Sequence, residues 1–395
     1  MKLKDIEQFQ ESLKDIGIAG NDLAIYVKGR EVYRYMTGYQ NIEKGIRTNR
    51  DTMYKMFSMT KPITCAAALQ LFEKGKFLLN EPLCDYLPEF KQMKVRVGKE
   101  PGAICLDTEE EQTLKDAENL IEIQHLFEMG AGLDYALETE QILALAKRTD
   151  WKFTTAEFVK AIADRPLVYE PGTHWVYSLA HDVIGRLIEV WSGIRFGDYV
   201  KKNIFEPLGM TTATFHTTEE QNEHLMLRYG FGEDGKTFEL GDQVNHYQMS
   251  PNLDSGGAGS SMTVDDYGKF AMAMANRGVG ANGERILAGR TIDLMKENFL
   301  TPEQNRDMFE SSKSREGYGY GLGVRTLVDR AVCGDAGPKG AEFGWGGAWG
   351  TYTCFDTADN VALVYAEQAV DTQSVYIQRR IRNMVYAALE WEGLI

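Results

Sequence analysis

Segments with β-type patterning lie at the two ends of this 395-residue chain, and a long run of helical periodicity separates them. A chain that keeps such strands together must build one sheet from both termini and insert the helices between them. Residues 22–29 and 31–38 are β-rich around Lys28-Gly29-Arg30, which predicts a hairpin. Toward the C-terminus, eleven glycines fall between Gly317 and Gly350, among β-type segments at 320–327, 352–355 and 361–365. Helical patterns cover 121–127, 139–147, 155–164, 181–191 and 196–203, with Gly193 where a helix C-terminus wants it. Further helices are expected at 60–74, 264–276, 288–297 and 374–391. Residues 1–16 read as an amphipathic helix presenting Leu3, Ile6, Phe9, Leu13 and Ile16. The pattern argues an α+β fold in one compact unit. Its sheet region comprises 1–80 and 225–395, and a helix-rich region spans 81–224.

Charge and cysteine usage narrow the functions. With 43 basic and 58 acidic side chains the net charge is -15, a surface that repels nucleic acid and anionic membranes. The acidic stretch 107–118 is expected to be solvated surface. The cysteines Cys65, Cys84, Cys105, Cys333 and Cys354 form no C-x-x-C pair, so neither a zinc site nor a disulfide framework is indicated. The histidines (His125, His174, His181, His216, His224, His246) show no metal-ligand spacing, and His181 reads as a packing or helix-end residue. No metal or organic cofactor is expected. No apolar run of about 18 residues or signal-peptide pattern occurs, so a soluble, cytoplasmic protein acting on a small molecule is expected.

The segment Phe57-Ser58-Met59-Thr60-Lys61-Pro62 contains S-x-x-K. On a helix this spacing stacks Ser58 and Lys61 on one face, with the amine beside the hydroxyl and the helix N-terminus favouring negative charge. An alcohol needs such a partner to become a nucleophile at neutral pH. Alone, the motif occurs at the frequency of chance. A G-x-S-x-G elbow is absent, which disfavours an α/β-hydrolase, and S-D-N and K-T-G elements are missing too.

Two more blocks change the weight of that motif: T-H-W-V-Y-S-L-A-H from Thr173, and G-W-G-G-A-W-G-T from Gly344. With F-S-M-T-K-P they resemble the three signature blocks of the β-lactamase-related serine hydrolases, and are most similar to the family VIII carboxylesterases. The segments E-P-G-T-H-W-V-Y-S, F-E-P-L-G-M-T-T-A-T-F, S-G-G-A-G-S-S-M-T-V-D-D-Y and Y-G-Y-G-L-G-V resemble family segments in family order. The likeness runs from about Leu23 to the C-terminal helix and is weakest between Met93 and Asn119.

This resemblance implies a β-lactamase/transpeptidase-like fold, an antiparallel sheet flanked by helices with the active site between sheet and helix-rich regions. It implies Ser58 as nucleophile, Lys61 and Tyr177 as proton-handling partners, and the backbone N–H groups of Ser58 and Ala348 as an oxyanion hole. A cation beside a phenol favours phenolate, so Lys61 and Tyr177 can act as a unit. The chain departs from the pattern twice. Leu179 stands where β-lactamases usually have an amide, and Trp345-Gly346-Gly347 stands where a cation, a hydroxyl residue and glycine are usual. Leu179, Trp345, Gly346, Gly347 and Trp349 are expected to line a pocket suited to a neutral acyl or alcohol group. The activity implied is carboxylesterase action on small esters through an acyl-enzyme. β-Lactamase or D-amino-acid peptidase action, acyl transfer to another acceptor, and a non-catalytic scaffold are the alternatives. Oligomeric state has no signal in the sequence.

Overall fold

The computed structural model describes residues 3–97, 113–232, 235–240, 248–370 and 374–395. Cys105, His246 and residues 107–112 of the acidic stretch lie outside the described residues.

One eight-stranded antiparallel sheet joins the two ends of the chain. Its order is Tyr318–Tyr320, Arg325–Leu327, Glu342–Gly346, Tyr352–Asp356, Val361–Ala366, Gly20–Val27, Arg30–Asn41 and Ile46–Arg47. The N-terminal hairpin closes at Lys28 (φ 50) and Gly29 (φ 76). Positive φ at both central residues is the type I′ geometry that matches strand twist.

Gly20–Val27 is buried on both faces, and alternation divides its side chains between two cores. Leu23, Ile25 and Val27, with Val361, Leu363 and Tyr365, face the terminal helices Leu3–Ser12 and Ser374–Trp391. Those helices contribute Ile6 and the four-residue series Ile377, Ile381, Val385 and Leu389. Each such aliphatic side chain contributes about 1.5–3 kcal/mol when fully buried. Ala24, Tyr26, Ala362 and Val364 point the other way, toward the core that includes helix Val264–Ala275. The amphipathic N-terminal segment runs as α-helix only to Ser12 and ends as a 3-10 turn at Leu13–Ile16.

Helix Thr60–Glu73 is buried on every side from Thr60 to Leu71, with the polar Thr60, Lys61, Thr64 and Gln70 among its buried residues. It packs on Ala180–Ser192 in the helix-rich region. That contact brings the S-x-x-K turn to the residues just before Ala180. Among the described residues, no helix is long and apolar enough to cross a membrane.

Some elements differ from the sequence expectation. The 320–327 segment is two short strands, Tyr318–Tyr320 and Arg325–Leu327, because Gly321 N–H bonds the Val324 carbonyl in a tight turn. The 196–203 helix continues through a π-helical turn, Lys201–Phe205, and Glu206–Leu208 to Gly209. Helix Pro302–Ser311 has no counterpart in the sequence reading, although Thr301 and Gln304 form its capping box.

Gly323 shows how tightly the two regions join. Its N–H bonds the Phe127 carbonyl, its φ is +84, and an added Cβ would lie 2.2 Å from Cys65 Sγ. Gly323→Ala is therefore expected to cost about 2–4 kcal/mol through overpacking and left-handed strain. Denaturant titration checks this, and an unchanged midpoint would contradict the packing described.

Candidate active site

Ser58 lies in the 3-10 turn Phe57–Met59 that leads into helix Thr60–Glu73. Phe57, immediately before it, has φ 47. A bulky residue there is a strained backbone position of the kind that gathers at active sites. One helical turn on, Lys61 is fully buried. Its Nζ reaches Ser58 Oγ at 3.3 Å, Tyr135 Oη at 3.4 Å and the Gly257 carbonyl at 2.8 Å.

Tyr177 comes from the helix-rich side, three residues before helix Ala180–Ser192. Its hydroxyl is 2.6 Å from Ser58 Oγ. The Lys61 ammonium lies 4.6 Å from the centre of the Tyr177 ring, and the Trp345 indole N–H donates to Tyr177 Oη at 3.2 Å. Tyr135 stacks on Tyr177 at 5.2 Å. The serine hydroxyl therefore sits between the Tyr177 oxygen and the Lys61 nitrogen, each held by further partners.

The segment around Gly256-Gly257-Ala258-Gly259 fixes the lysine. Thr64 Oγ1 donates to the Gly256 carbonyl at 2.7 Å, and Met56 N–H bonds the Ser260 carbonyl. Asp182 Oδ1 accepts from Ser255 Oγ at 2.7 Å and from Gly257 N–H at 3.3 Å. Burial raises the Asp182 carboxyl pKa, while Ser255, Lys61 and the Gly257 N–H oppose that rise. His181 is buried against Cys65 and the Phe127 carbonyl, and burial pushes its pKa down to about 3. It packs here as a neutral ring.

Facing Ser58, strand Glu342–Gly346 runs into a 3-10 turn at Ala348–Gly350. Ser58 falls in the first turn of a short 3-10 helix, where N–H groups lack an intrahelical acceptor, and Ala348 opens a turn that reverses at Trp349 (φ 64). Gly347 lets this segment close on the serine turn, since an added Cβ would lie 2.3 Å from the Met56 carbonyl. Thr351 Oγ1 donates to that same carbonyl at 3.1 Å.

A cavity of about 680 Å³ opens beside Ser58, walled by residues from both regions, among them Tyr135, Tyr177, Trp345, Gly346, Gly347 and Ala348. Leu179 and Trp349 do not line it. The Leu179 side chain is buried, and its N–H is tied to the Asp134 carbonyl at 3.0 Å. Trp349, at φ 64, packs edge-on against Phe57 with Arg228 4.5 Å from its ring centre. The sequence reading also missed a cation in the cavity. Position 345 has none, but Arg315 enters from the 3-10 turn after helix Pro302–Ser311. Tyr135, Gly257 and Asp182 were missed as well, since no spacing links them to Lys61.

Among the described residues no His/Cys/Asp/Glu cluster suited to a metal ion occurs. Cys65, Cys84, Cys333 and Cys354 are free thiols.

Comparison with known proteins identifies the family. Protein Rv1367c of Mycobacterium tuberculosis is 29% identical over 347 residues, 86% of this chain and 82% of that protein. Esterase EstB of Burkholderia gladioli is 26% identical over 398 residues, covering 96% and 93% of the two chains. The solved structure of EstCE1, described as a hydrolase with promiscuous acyltransferase activity, superposes with a TM-score of 0.76 at 22% identity. It covers 98% of this chain and 97% of its own. The family model described as Beta-lactamase matches residues 6–384, and the chain belongs to that family.

Proposed function

We propose that the protein is a serine hydrolase of carboxylesterase type that forms an acyl-enzyme on Ser58. The observation that carries this reading is a hydroxyl contacted at 2.6 Å by Tyr177 and at 3.3 Å by Lys61, at the edge of a cavity. In the first step the Tyr177/Lys61 pair, holding one proton fewer than a phenol with an ammonium, accepts the Ser58 proton as Oγ bonds to the ester carbonyl carbon. Negative charge on the carbonyl oxygen is met by the Ser58 and Ala348 N–H groups. The C–O bond to the alcohol then breaks, and the alcohol leaves with the proton held by the pair. Water attacks the acyl-enzyme by the same route and restores Ser58. Negative charge arising on Tyr177 Oη meets the Trp345 indole donor at 3.2 Å.

Esters are favoured over β-lactams because the buried Leu179 side chain supplies no amide for the acylamide of a β-lactam. Losing one neutral hydrogen bond of about 1 kcal/mol removes roughly 5- to 10-fold in turnover efficiency. 4-Nitrophenyl butyrate is thus expected to be cleaved readily, with nitrocefin about 5- to 10-fold slower in kcat/KM. A nitrocefin kcat/KM equal to that of the best ester would make β-lactam hydrolysis the better reading. EstCE1's promiscuous acyl transfer supports a second fate for the acyl group. Added methanol would then divert acyl product into methyl ester without changing kcat/KM for nitrophenol release.

A further inference from the structure

Four arginines reach the cavity beside Ser58, and they divide into two kinds. Arg325 and Arg382 are neutralised: Arg325 donates to Glu342 at 2.6 Å, and Arg382 pairs with Asp335. Arg315 and Arg379 form no salt bridge among the described residues. Arg315 Nη1 donates to Ser311 Oγ at 2.5 Å, and Arg379 Nη2 donates to the Ser314 carbonyl at 3.0 Å. The Arg379 Nε is buried and has no hydrogen-bond partner among the described residues. In a chain of net charge -15, two unpaired guanidiniums on one wall stand against the background.

The Arg315 guanidinium also lies against the reacting centre. Its carbon is 5.1 Å from the ring centre of Trp175, 5.7 Å from Trp345 and 5.8 Å from Tyr177. It is thus one phenol ring away from the oxygen that touches Ser58. The cavity's own carboxylates do not answer it. Asp134 is taken by Arg165, and Asp307 by His174 Nδ1 and the Trp175 N–H. Glu310 is exposed and forms no ion pair with either guanidinium. Holding a half-buried cation without a counter-charge is costly, and a guanidinium's fork of donors matches a carboxylate.

We propose that Arg315, supported by Arg379, is the receptor for a carboxylate on the substrate, so that the preferred esters are anionic. This deepens the esterase reading and rests on it. The carboxylate can belong to the acyl group, as in a dicarboxylic monoester, or to the alcohol, and paired probes separate the two.

The experiment compares mono(4-nitrophenyl) glutarate with 4-nitrophenyl butyrate, and 4-butyryloxybenzoate with 4-butyryloxybenzamide. The anionic member of one pair is expected to have the higher kcat/KM. Arg315→Gln is expected to lower the anionic-to-neutral ratio about 10- to 100-fold, with Arg315→Lys in between. The ratio cancels any change in the chemistry both esters share. A second measurement needs no turnover: titration of monomethyl glutarate and of 4-butyryloxybenzoate into Ser58→Ala, and into Ser58→Ala combined with Arg315→Gln. At least about 10-fold weaker binding of one anion in the double variant supports the proposal even if no ester is cleaved, in which case the esterase reading alone fails. Equal kcat/KM within both pairs, a preference that survives Arg315→Gln, or binding of both anions indifferent to Arg315 would overturn it.

Discussion

Ser58→Ala is expected to lower ester turnover by roughly 10⁴- to 10⁶-fold while the protein stays folded. The size of the effect follows from what is removed. Tyr177 and Lys61 converge on one oxygen, at 2.6 and 3.3 Å, and alanine leaves both without an atom to deprotonate or a nucleophile to assist. What survives is the cavity and the two N–H groups, which can still bind an ester but cannot form the covalent intermediate. Ser58 is only half-buried, so truncation opens little space in the core and folding should be barely affected. A fluorophosphonate probe followed by mass spectrometry supplies the direct check. Adduct is expected on Ser58 alone and none in Ser58→Ala, and an adduct on Ser178 or Ser260 would refute the assignment. Both of those side chains are buried, and Ser260 Oγ is occupied by Thr60 Oγ1 at 2.7 Å.

The second large effect is expected at Tyr177 and Lys61, the pair proposed to handle the proton. Tyr177→Phe deletes one hydroxyl and keeps the ring that stacks on Tyr135 and packs near Trp345. The fold should therefore survive while kcat falls by about 10²-fold or more, the usual scale for general acid–base catalysis. Lys61→Ala should cost at least as much, because Lys61 contacts Ser58 and also covers the Tyr177 ring at 4.6 Å. The double variant is expected to lose far less than the product of the two single losses, since either deletion disables the same proton path. Multiplicative losses in kcat would mean that the two groups work independently. Lys61→Ala also empties a fully buried site bonded to the Gly257 carbonyl, so its kcat must be read beside a denaturation curve.

How far the sequence reached can be judged element by element. The hairpin at Lys28-Gly29, the S-x-x-K turn and the helix after Tyr177 were legible because their determinants are local. Positive φ, helical spacing and an apolar stripe all lie within a few residues of one another. The one-sided N-terminal helix was legible for the same reason. Helix Pro302–Ser311 had a local signal too, in Thr301-Pro302-Glu303-Gln304, and it went unread. The 320–327 segment differs because alternation continues through a turn that the Gly321 N–H bond to the Val324 carbonyl closes, and the Phe127 carbonyl, remote in the chain, also binds the Gly323 N–H.

At the site, the sequence by itself pointed to Ser58, Lys61 and Tyr177 as the proposed triplet, and it carries no amide at 179 and no cation at 345. Those are matters of residue identity and short spacing. Only the tertiary structure decided what surrounds them. The Lys61 ammonium is held by Gly257 and Tyr135, which lie 196 and 74 positions away in the chain. Leu179 turns into the core and Trp349 onto Phe57, because backbone direction at a helix start and at a positive-φ residue sets where each side chain points. The cation missing at 345 returns as Arg315 from a separate turn, since a cavity takes its charge from whatever elements wall it, in any order along the chain.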